Sequence, residues 1–249
     1  MVDRYPDCSV IVPTGDRSAE LADCLRSLRD QSLPRDRYEV IVVDSGPGDA
    51  TTQVCRALAR TMPIRVFQTP DRGRSHAKNV GLGAASAPIS LFLEDDDLAH
   101  PDLVWHHVNA HRQDLRDRVS VLGHTGWSPD LSVSPLMQYL TEVGPMRLAP
   151  GGRDDEPDFV LEPIGRGRVS CKTEFLRQHG PFDETFTDVL EEVELGYRLS
   201  KHGLATRRRR DAVSYMSKPL TLMGACRRAE LQGRALVRMA VLHPDQPSE

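Results

Sequence analysis

Apolar and polar positions in the first half of the chain repeat in two periods. Cys8-Ser-Val-Ile-Val12 is a short β-branched run closed by Pro13, the pattern of a buried strand. Leu21, Cys24, Leu25 and Leu28 then recur at helical spacing, with Asp16 or Ser18 placed to cap that helix. Tyr38-Glu-Val-Ile-Val-Val43 predicts a second strand ending at Asp44, and Asp49 or Thr51 starts a helix to about Arg60. Ile64-Arg-Val-Phe67 predicts a third strand, and Arg72-Gly73-Arg74 opens a helix through about Ala85. Pro88-Ile-Ser-Leu-Phe-Leu93 predicts a fourth strand, which runs straight into Glu94-Asp95-Asp96-Asp97. Pro101 begins a helix to about Gln113, and Val119-Ser-Val-Leu122 is a fifth strand.

Strands alternating with helices of this length predict βαβ units. The expected class is α/β, with a mostly parallel, Rossmann-like central sheet flanked by helices. Ligands of such sheets bind beyond the carboxyl ends of the strands. Three strand ends carry distinctive polar residues and are expected to converge: Thr14-Gly15-Asp16, Asp44-Ser45 and Glu94 to Asp97. The second half is less regular. Residues 126–162 are rich in Gly, Pro and Asp, with a short helical stretch near Leu136 to Thr141. Gly151-Gly-Arg-Asp-Asp-Glu-Pro157 reads as an exposed, mobile loop. Order resumes at Arg168-Val-Ser-Cys171, followed by helices at Thr173 to Gln178, Val189 to Lys201 and Leu220 to Leu242.

Composition narrows the class. The chain has 249 residues, 39% hydrophobic and 27% charged, with a formal net charge of −4. Collagen, coiled coil and wholesale disorder are excluded, and mild acidity argues against a general nucleic-acid binder. No apolar run nears the roughly 20 residues of a membrane-spanning helix, and the polar start gives no signal peptide. The expected location is the cytoplasm, with the membrane surface and a homodimer both compatible. The five cysteines are widely spaced and contain no Cys-x-x-Cys pair, which disfavours disulfides and structural zinc and favours buried thiols.

Consecutive acids at the end of an apolar strand repel one another unless something neutralises them. An isolated acidic run would read as a solvated loop that caps a helix. At the carboxyl end of a parallel strand the metal–phosphate reading is stronger. Mg²⁺ or Mn²⁺ prefers carboxylate oxygens together with substrate phosphates.

Several blocks occur in a fixed order: Ser9-Val-Ile-Val-Pro-Thr14, Glu39-Val-Ile-Val-Val-Asp44, Ala77-Lys-Asn-Val-Gly81 and Phe92-Leu-Glu-Asp-Asp-Asp97 with Pro101. Gly180-Pro-Phe-Asp-Glu-Thr-Phe186 and Glu191-Glu-Val-Glu-Leu-Gly-Tyr-Arg-Leu199 follow. This succession resembles family 2 glycosyltransferases, which have the GT-A fold, across about residues 8 to 203. The resemblance implies one GT-A domain over 1–249. About 1–125 would form the nucleotide-sugar-binding half, about 126–215 the acceptor-binding half, and about 216–249 a C-terminal helical segment. It also implies a metal-dependent, inverting glycosyltransferase of the hexosyltransferase type, with a UDP-sugar as the default donor. The acceptor, whether small molecule, glycan or lipid-linked sugar, is left open.

Residue by residue, the resemblance places Asp96 as metal ligand, with Glu94 and Asp97 assisting and Asp95 between them on the donor side. Pro13, Thr14, Asp16, Asp44, Ser45, Arg74 and Lys78 fall at donor-binding positions. Glu192 falls at the general-base position, where the family usually has Asp, and Glu191 is the second candidate and an acceptor contact. Acids in a first helical turn are also favoured by the helix dipole alone. Gly15-Asp16 stands where the family commonly has Tyr-Asn, and Ser45 where it often has a second Asp, so a GDP or dTDP donor stays open. Trp127 is an acceptor candidate. His107 and His111 are expected on a solvated helix face. Arg207 to Arg210 is read as a solvated strand or loop, or as a clamp for a phosphate. Two rival readings remain: a non-catalytic GT-A module that binds a nucleotide-sugar or a partner, and a nucleotidyltransferase, which the absence of a Gly-rich loop after the first strand disfavours.

Overall fold

The computed structural model describes residues 6–143 and 168–245. Eight strands are present: β1 (Cys8–Thr14), β2 (Tyr38–Asp44), β3 (Ile64–Gln68), β4 (Ile89–Phe92), β5 (Asp97–Ala99), β6 (Val119–Trp127), β7 (Val169–Lys172) and β8 (Ala205–Met216). The helices are α1 (Ser18–Arg29), α2 (Ala50–Leu58), α3 (Arg74–Ala84), α4 (Leu103–Gln113), α5 (Pro135–Gln138), α6 (Thr173–His179), α7 (Glu191–Lys201) and α8 (Leu222–Leu242). The strands form one sheet in the order β3-β2-β1-β4-β7-β6-β8-β5.

The first four strands in that order run parallel, as the alternating pattern predicts. Beyond them the sheet is mixed. β7 is antiparallel to both β4 and β6, β8 is parallel to β6, and β5 is antiparallel to β8.

Side chains alternate across each strand, so the sheet buries two apolar faces. Val10, Val12, Val40, Val42, Leu91 and Leu93 pack on one side with Leu21, Cys24, Leu25 and Leu28 of α1 and with Leu103, Val104 and Val108 of α4. Ile11, Ile41, Val43 and Phe92 pack on the other side with Ala77 and Leu82 of α3, Phe175 and Leu176 of α6, and Leu195 and Leu199 of α7. Each fully buried aliphatic side chain contributes about 1.5–3 kcal/mol, so these layers fix the strand ends on which the site is built. Gly81 is where α3 touches the sheet: a Cβ there would lie 2.4 Å from the Ile11 side chain.

Several expectations change. β1 continues through Pro13 to Thr14. Ile11 accepts a hydrogen bond from the Leu93 N–H on the β4 side. Pro13, two residues on, faces the same side, where the β1–β4 ladder has ended at Ile11 and Phe92, so its missing N–H breaks no pairing. Neither Asp16 nor Ser18 caps α1; Arg17 holds the N-cap position without a side-chain bond. Asp49 precedes α2, also without a side-chain cap. β5 begins at Asp97, the last acid of the run, because its three residues pair with β8. Cys8, Cys24, Cys55 and Cys171 are buried free thiols as expected, whereas Cys226 is exposed. The loop 151–157 lies outside the described residues.

The α4 histidines correct the expectation of a solvated face. His107 and His111 are buried, because the helix turns this face toward the sheet. His107 Nδ1 and His111 Nε2 both meet Ser170 Oγ, at 2.8 and 2.9 Å. Burial pushes both imidazoles down to about 3, so both are neutral in the folded protein. An unfolded histidine titrates near 6.5, and acid therefore favours the unfolded chain. The stabilising effect of neutral burial is complete above about pH 6.5 and is lost progressively as pH falls toward about 3. We predict that stability falls between pH 6.5 and 5 by up to about 1.4 kcal/mol per pH unit per histidine. That window lies above the range in which most carboxylates titrate. Denaturant midpoints across it check the prediction; a slope unchanged in the His107→Asn/His111→Gln variant would refute it.

Candidate active site

The ends of β1, β2 and β4 converge as expected, and two adjoining cavities open there. The first, about 210 Å³, is walled by Thr14, Gly15, Asp16, Ser45, Gly73 and Asp95. The second, about 410 Å³, is lined by Glu94, Asp96, Glu191 and Glu192 among others. Arg17, Arg74 and Asp188 line both. Thus the strand-end loops, the acidic run and the start of α7 enclose one continuous cleft.

The four acids after β4 have four different environments. Glu94 accepts an ion pair from Arg74 at 2.6 Å and lies 3.7 Å from Lys78 Nζ. Burial raises its pKa, but Arg74 and Lys78 outweigh that and hold it down to about 2. Asp95 is buried and accepts bonds from Thr14 Oγ1 at 2.8 Å and Arg17 at 2.9 Å. Burial nevertheless pushes it up to about 6. Asp97 is fully buried; one oxygen meets Arg168 and the other accepts the Glu94 N–H. Asp96 is the most open carboxylate of the run: its side chain is 19% exposed and its nearest cation, Arg17, stands 3.5 Å away. Its carbonyl is anchored by the N–H and hydroxyl of Ser217.

Lining the same cavity, α7 starts immediately after Leu190, whose φ of 63° is left-handed. A branched side chain adopts that region at a cost. The turn sets Glu191 and Glu192 at the helix start, facing the acidic run. Both are buried, and both bond Lys78 Nζ, at 3.0 and 2.5 Å. Burial raises the Glu192 pKa, and the neighbouring Glu191 and Glu94 charges add to it against the pull of Lys78. Burial alone would discharge Lys78, yet Glu191, Glu192 and Glu94 together raise its pKa. Lys78 is thus the common partner of the two carboxylate groups.

α3 is pinned to the segment before α7. Gly73 has a φ of 90°, and a Cβ there would lie 2.7–2.9 Å from Thr187 atoms. The Arg74 N–H donates to the Thr187 carbonyl at 2.7 Å. Asn79 grips the Phe182 backbone through both its amide nitrogen and its oxygen, at 3.0 and 2.9 Å.

The expected donor residues separate in space. Pro13, Thr14, Asp16, Ser45, Arg74 and Asp95 line the smaller cavity. Asp44 is buried and accepts the Gly46 N–H at 2.9 Å, so its carboxylate shapes its own turn. Lys78 is enclosed beneath the cleft. Trp127 donates its indole N–H to Thr141 Oγ1 at 3.3 Å and lines neither cavity. Arg207 to Arg210 lie on strand β8 as one of the expected readings had it, and Arg210 is exposed, but solvation of the whole run is corrected. Arg208 is buried, Arg207 bonds Asp114 at 2.6 Å, and Arg209 bonds Asp211. Arg17, Arg168, Asp188 and Arg228 reach the cleft without having been singled out in the sequence. Arg17 follows directly on a strand-end loop, which is a usable signal; the other three carry none.

A divalent ion that takes few protein ligands fits this donor set. Mg²⁺ characteristically keeps waters and uses one or two carboxylates plus phosphate oxygens. Asp96 is the most open carboxylate of the run and its one close cation, Arg17, stands 3.5 Å away, while Glu94 lines the same cavity. Among the described residues, no three His, Cys, Asp or Glu side chains form a ready-made cage.

The sheet and its flanking helices have the GT-A fold. Residues 9–130 match the family model described as Glycosyl transferase family 2. Validoxylamine A glucosyltransferase of Streptomyces hygroscopicus subsp. jinggangensis is 30% identical over 223 residues, spanning 81% of this chain and 53% of the relative. The chain therefore spans about half the length of that curated relative. Mannosyltransferase PcManGT of Pyrobaculum calidifontis, in complex with GDP-Man and Mn²⁺, superposes with a TM-score of 0.68 at 21% identity, over 98% of this chain and 66% of that one. S. aureus TarS 1-349 in complex with UDP-GlcNAc gives a TM-score of 0.66 at 20% identity, over 86% and 59%. Residues 9–130 carry a glycosyltransferase family 2 domain. Among the described residues no helix is long and apolar enough to cross a membrane.

Proposed function

We propose that this chain transfers one sugar from a nucleotide-sugar, with a UDP-sugar as the default donor, to an acceptor hydroxyl with inversion at the anomeric carbon. The observation that carries the reading is the convergence of Asp96, Glu94, Glu191 and Glu192 on one cavity, which shares Arg17, Arg74 and Asp188 with the strand-end cavity. The comparisons support it: related proteins are named glycosyltransferases, and structural neighbours hold UDP-GlcNAc or GDP-Man with Mn²⁺. One GT-A domain, divided into donor and acceptor halves, fits this arrangement.

In this reading the nucleoside occupies the cleft beside Thr14, Asp16 and Ser45, and the diphosphate lies near Arg17 and Arg74. Asp96, with Glu94 beside it, would hold Mg²⁺ or Mn²⁺; Asp97 is committed to Arg168 and supports the loop from below. When bound, the ion neutralises charge on the departing diphosphate. Glu192 takes the proton from the acceptor hydroxyl. A sugar hydroxyl is a poor nucleophile until that proton leaves, and a carboxylate whose pKa is raised is the better base at neutral pH. Attack from the α7 side, opposite the diphosphate, inverts the anomeric carbon, so an α-linked donor gives a β-linked product. Glu191 stays beside Lys78 and orients that wall. The protein needs no other proton carrier for this step.

Thermal shift with UDP tests the metal assignment. Mn²⁺ is expected to raise the UDP-induced stabilisation of the native protein, because a ligand that binds only the folded state stabilises it by mass action. Asp96→Ala is expected to abolish the Mn²⁺ increment and leave the metal-free response to UDP. A full Mn²⁺ increment in Asp96→Ala would remove Asp96 from the metal site.

A further inference from the structure

The larger cavity has a third wall that the proposed reaction does not use. It is built by the connection from β8 to α8 and the first turns of α8: Lys218, Leu220, Thr221, Gly224 and Arg228. Arg228 stands out there for its bonding. Arg74 is paired with Glu94, Arg17 with Asp95, Arg168 with Asp97, and Lys78 with Glu191 and Glu192. Lys218 has Glu20 at 3.6 Å. Arg228, by contrast, has no hydrogen bond or salt bridge among the described residues, and its Nε is buried without a hydrogen-bond acceptor. A guanidinium stays charged at any physiological pH and carries five N–H donors. Arg228 is half-buried overall, and an N–H shut from water without an acceptor costs stability, which an anion from outside the chain would offset. Arg228 is close enough to help lower the Glu94 pKa, which places its charge inside the cleft.

Its position distinguishes it from the cations near the nucleotide. Arg17 and Arg74 line both cavities, where a diphosphate bridging nucleoside and sugar must lie. Arg228 lines only the larger one, which Glu191 and Glu192 also line. We propose that Arg228 is a binding residue for an anionic group, phosphate or carboxylate, carried by the acceptor. The proposal rests on the glycosyltransferase reading and narrows its substrate class: the acceptor would bear a negative charge near the hydroxyl that receives the sugar. Guanidinium pairs with either oxyanion through two parallel hydrogen bonds, and Thr221 and Lys218 stand on the same wall.

Calorimetry on the whole chain tests this, with inorganic phosphate as the probe and Mg²⁺ present throughout. Phosphate is titrated into protein already saturated with UDP. The expected result is a phosphate site that persists beside UDP, weakens at least tenfold in Arg228→Gln and is partly restored in Arg228→Lys, with UDP affinity changed less than twofold. If Arg228→Gln instead weakens UDP tenfold and phosphate does not bind beside UDP, Arg228 belongs to the donor diphosphate and the proposal is overturned. If neither titration responds, Arg228 binds no anion and the proposal fails. Phosphate binding without any UDP binding would sink the nucleotide-sugar reading while leaving Arg228 as an anion site, so the two failures are distinguishable.

Discussion

Replacing Glu192 with glutamine is expected to lower kcat by roughly 10²–10⁴-fold, the usual contribution of a positioned general base. Glutamine preserves the shape at the start of α7 and can still accept a bond from Lys78, so the wall and the UDP affinity should persist. What it removes is the proton acceptor. The readout is UDP release from a UDP-sugar, with water as nucleophile where the acceptor is not in hand, together with UDP affinity by calorimetry. The pH profile adds an independent check. Glu192 acts only when deprotonated, and burial raises its pKa above the ordinary glutamate value. Wild-type rate should therefore fall as pH drops through that raised value, and this limb should be absent from the residual rate of the variant. Unchanged kcat, or a loss confined to UDP binding, would make Glu192 structural.

Replacing Lys78 with methionine is expected to destabilise the fold by about 3–5 kcal/mol, because it leaves buried carboxylates without their shared cation. At about 2–4 °C per kcal/mol for a chain of this size, the melting temperature should fall by on the order of 10 °C. Lys78 is fully buried, with Glu191, Glu192 and Glu94 around its ammonium. Its raised pKa means that its stabilising effect is complete at neutral pH and disappears only in strong alkali. Lowering the pH should rescue the variant in part, since protonating the orphaned glutamates removes their repulsion. A melting temperature within about 2 °C of wild type at neutral pH would show that the cluster relaxes and that Lys78 is dispensable.

The donor-side fold was legible because its signals are local. Runs such as Glu39-Val-Ile-Val-Val-Asp44 state both strand and strand end within six residues. β8 was harder to read, since its stretch Arg207 to Asp211 is charged throughout. Pairing with β6 and bonds to Asp114 override that composition, and the register shift after Gly123 hides any period-two pattern. Among the site residues, adjacency to a strand end identified Thr14, Asp96 and Ser45. It could not reveal that Lys78 serves carboxylates from both walls, because that role depends on residues 113 and 114 positions away. The solvated reading of His107 and His111 failed for a related reason: a polar residue at helical spacing says nothing about which face the sheet will cover.

The pairing of β5 with β8 bears on how the chain can be divided. The acidic run lies within the first hundred residues, yet the carbonyl of Asp96 is held by Ser217, and β5 has β8 as its neighbour at the sheet edge. The segment matched by the family model stops at residue 130. A fragment ending there would keep every carboxylate of the run but lose the strand and serine that set their geometry. It would also leave β6 without either of its neighbours. Domain-swapping or truncation experiments on this chain should therefore cut beyond residue 217, because what is contiguous in sequence is not a mechanical unit here.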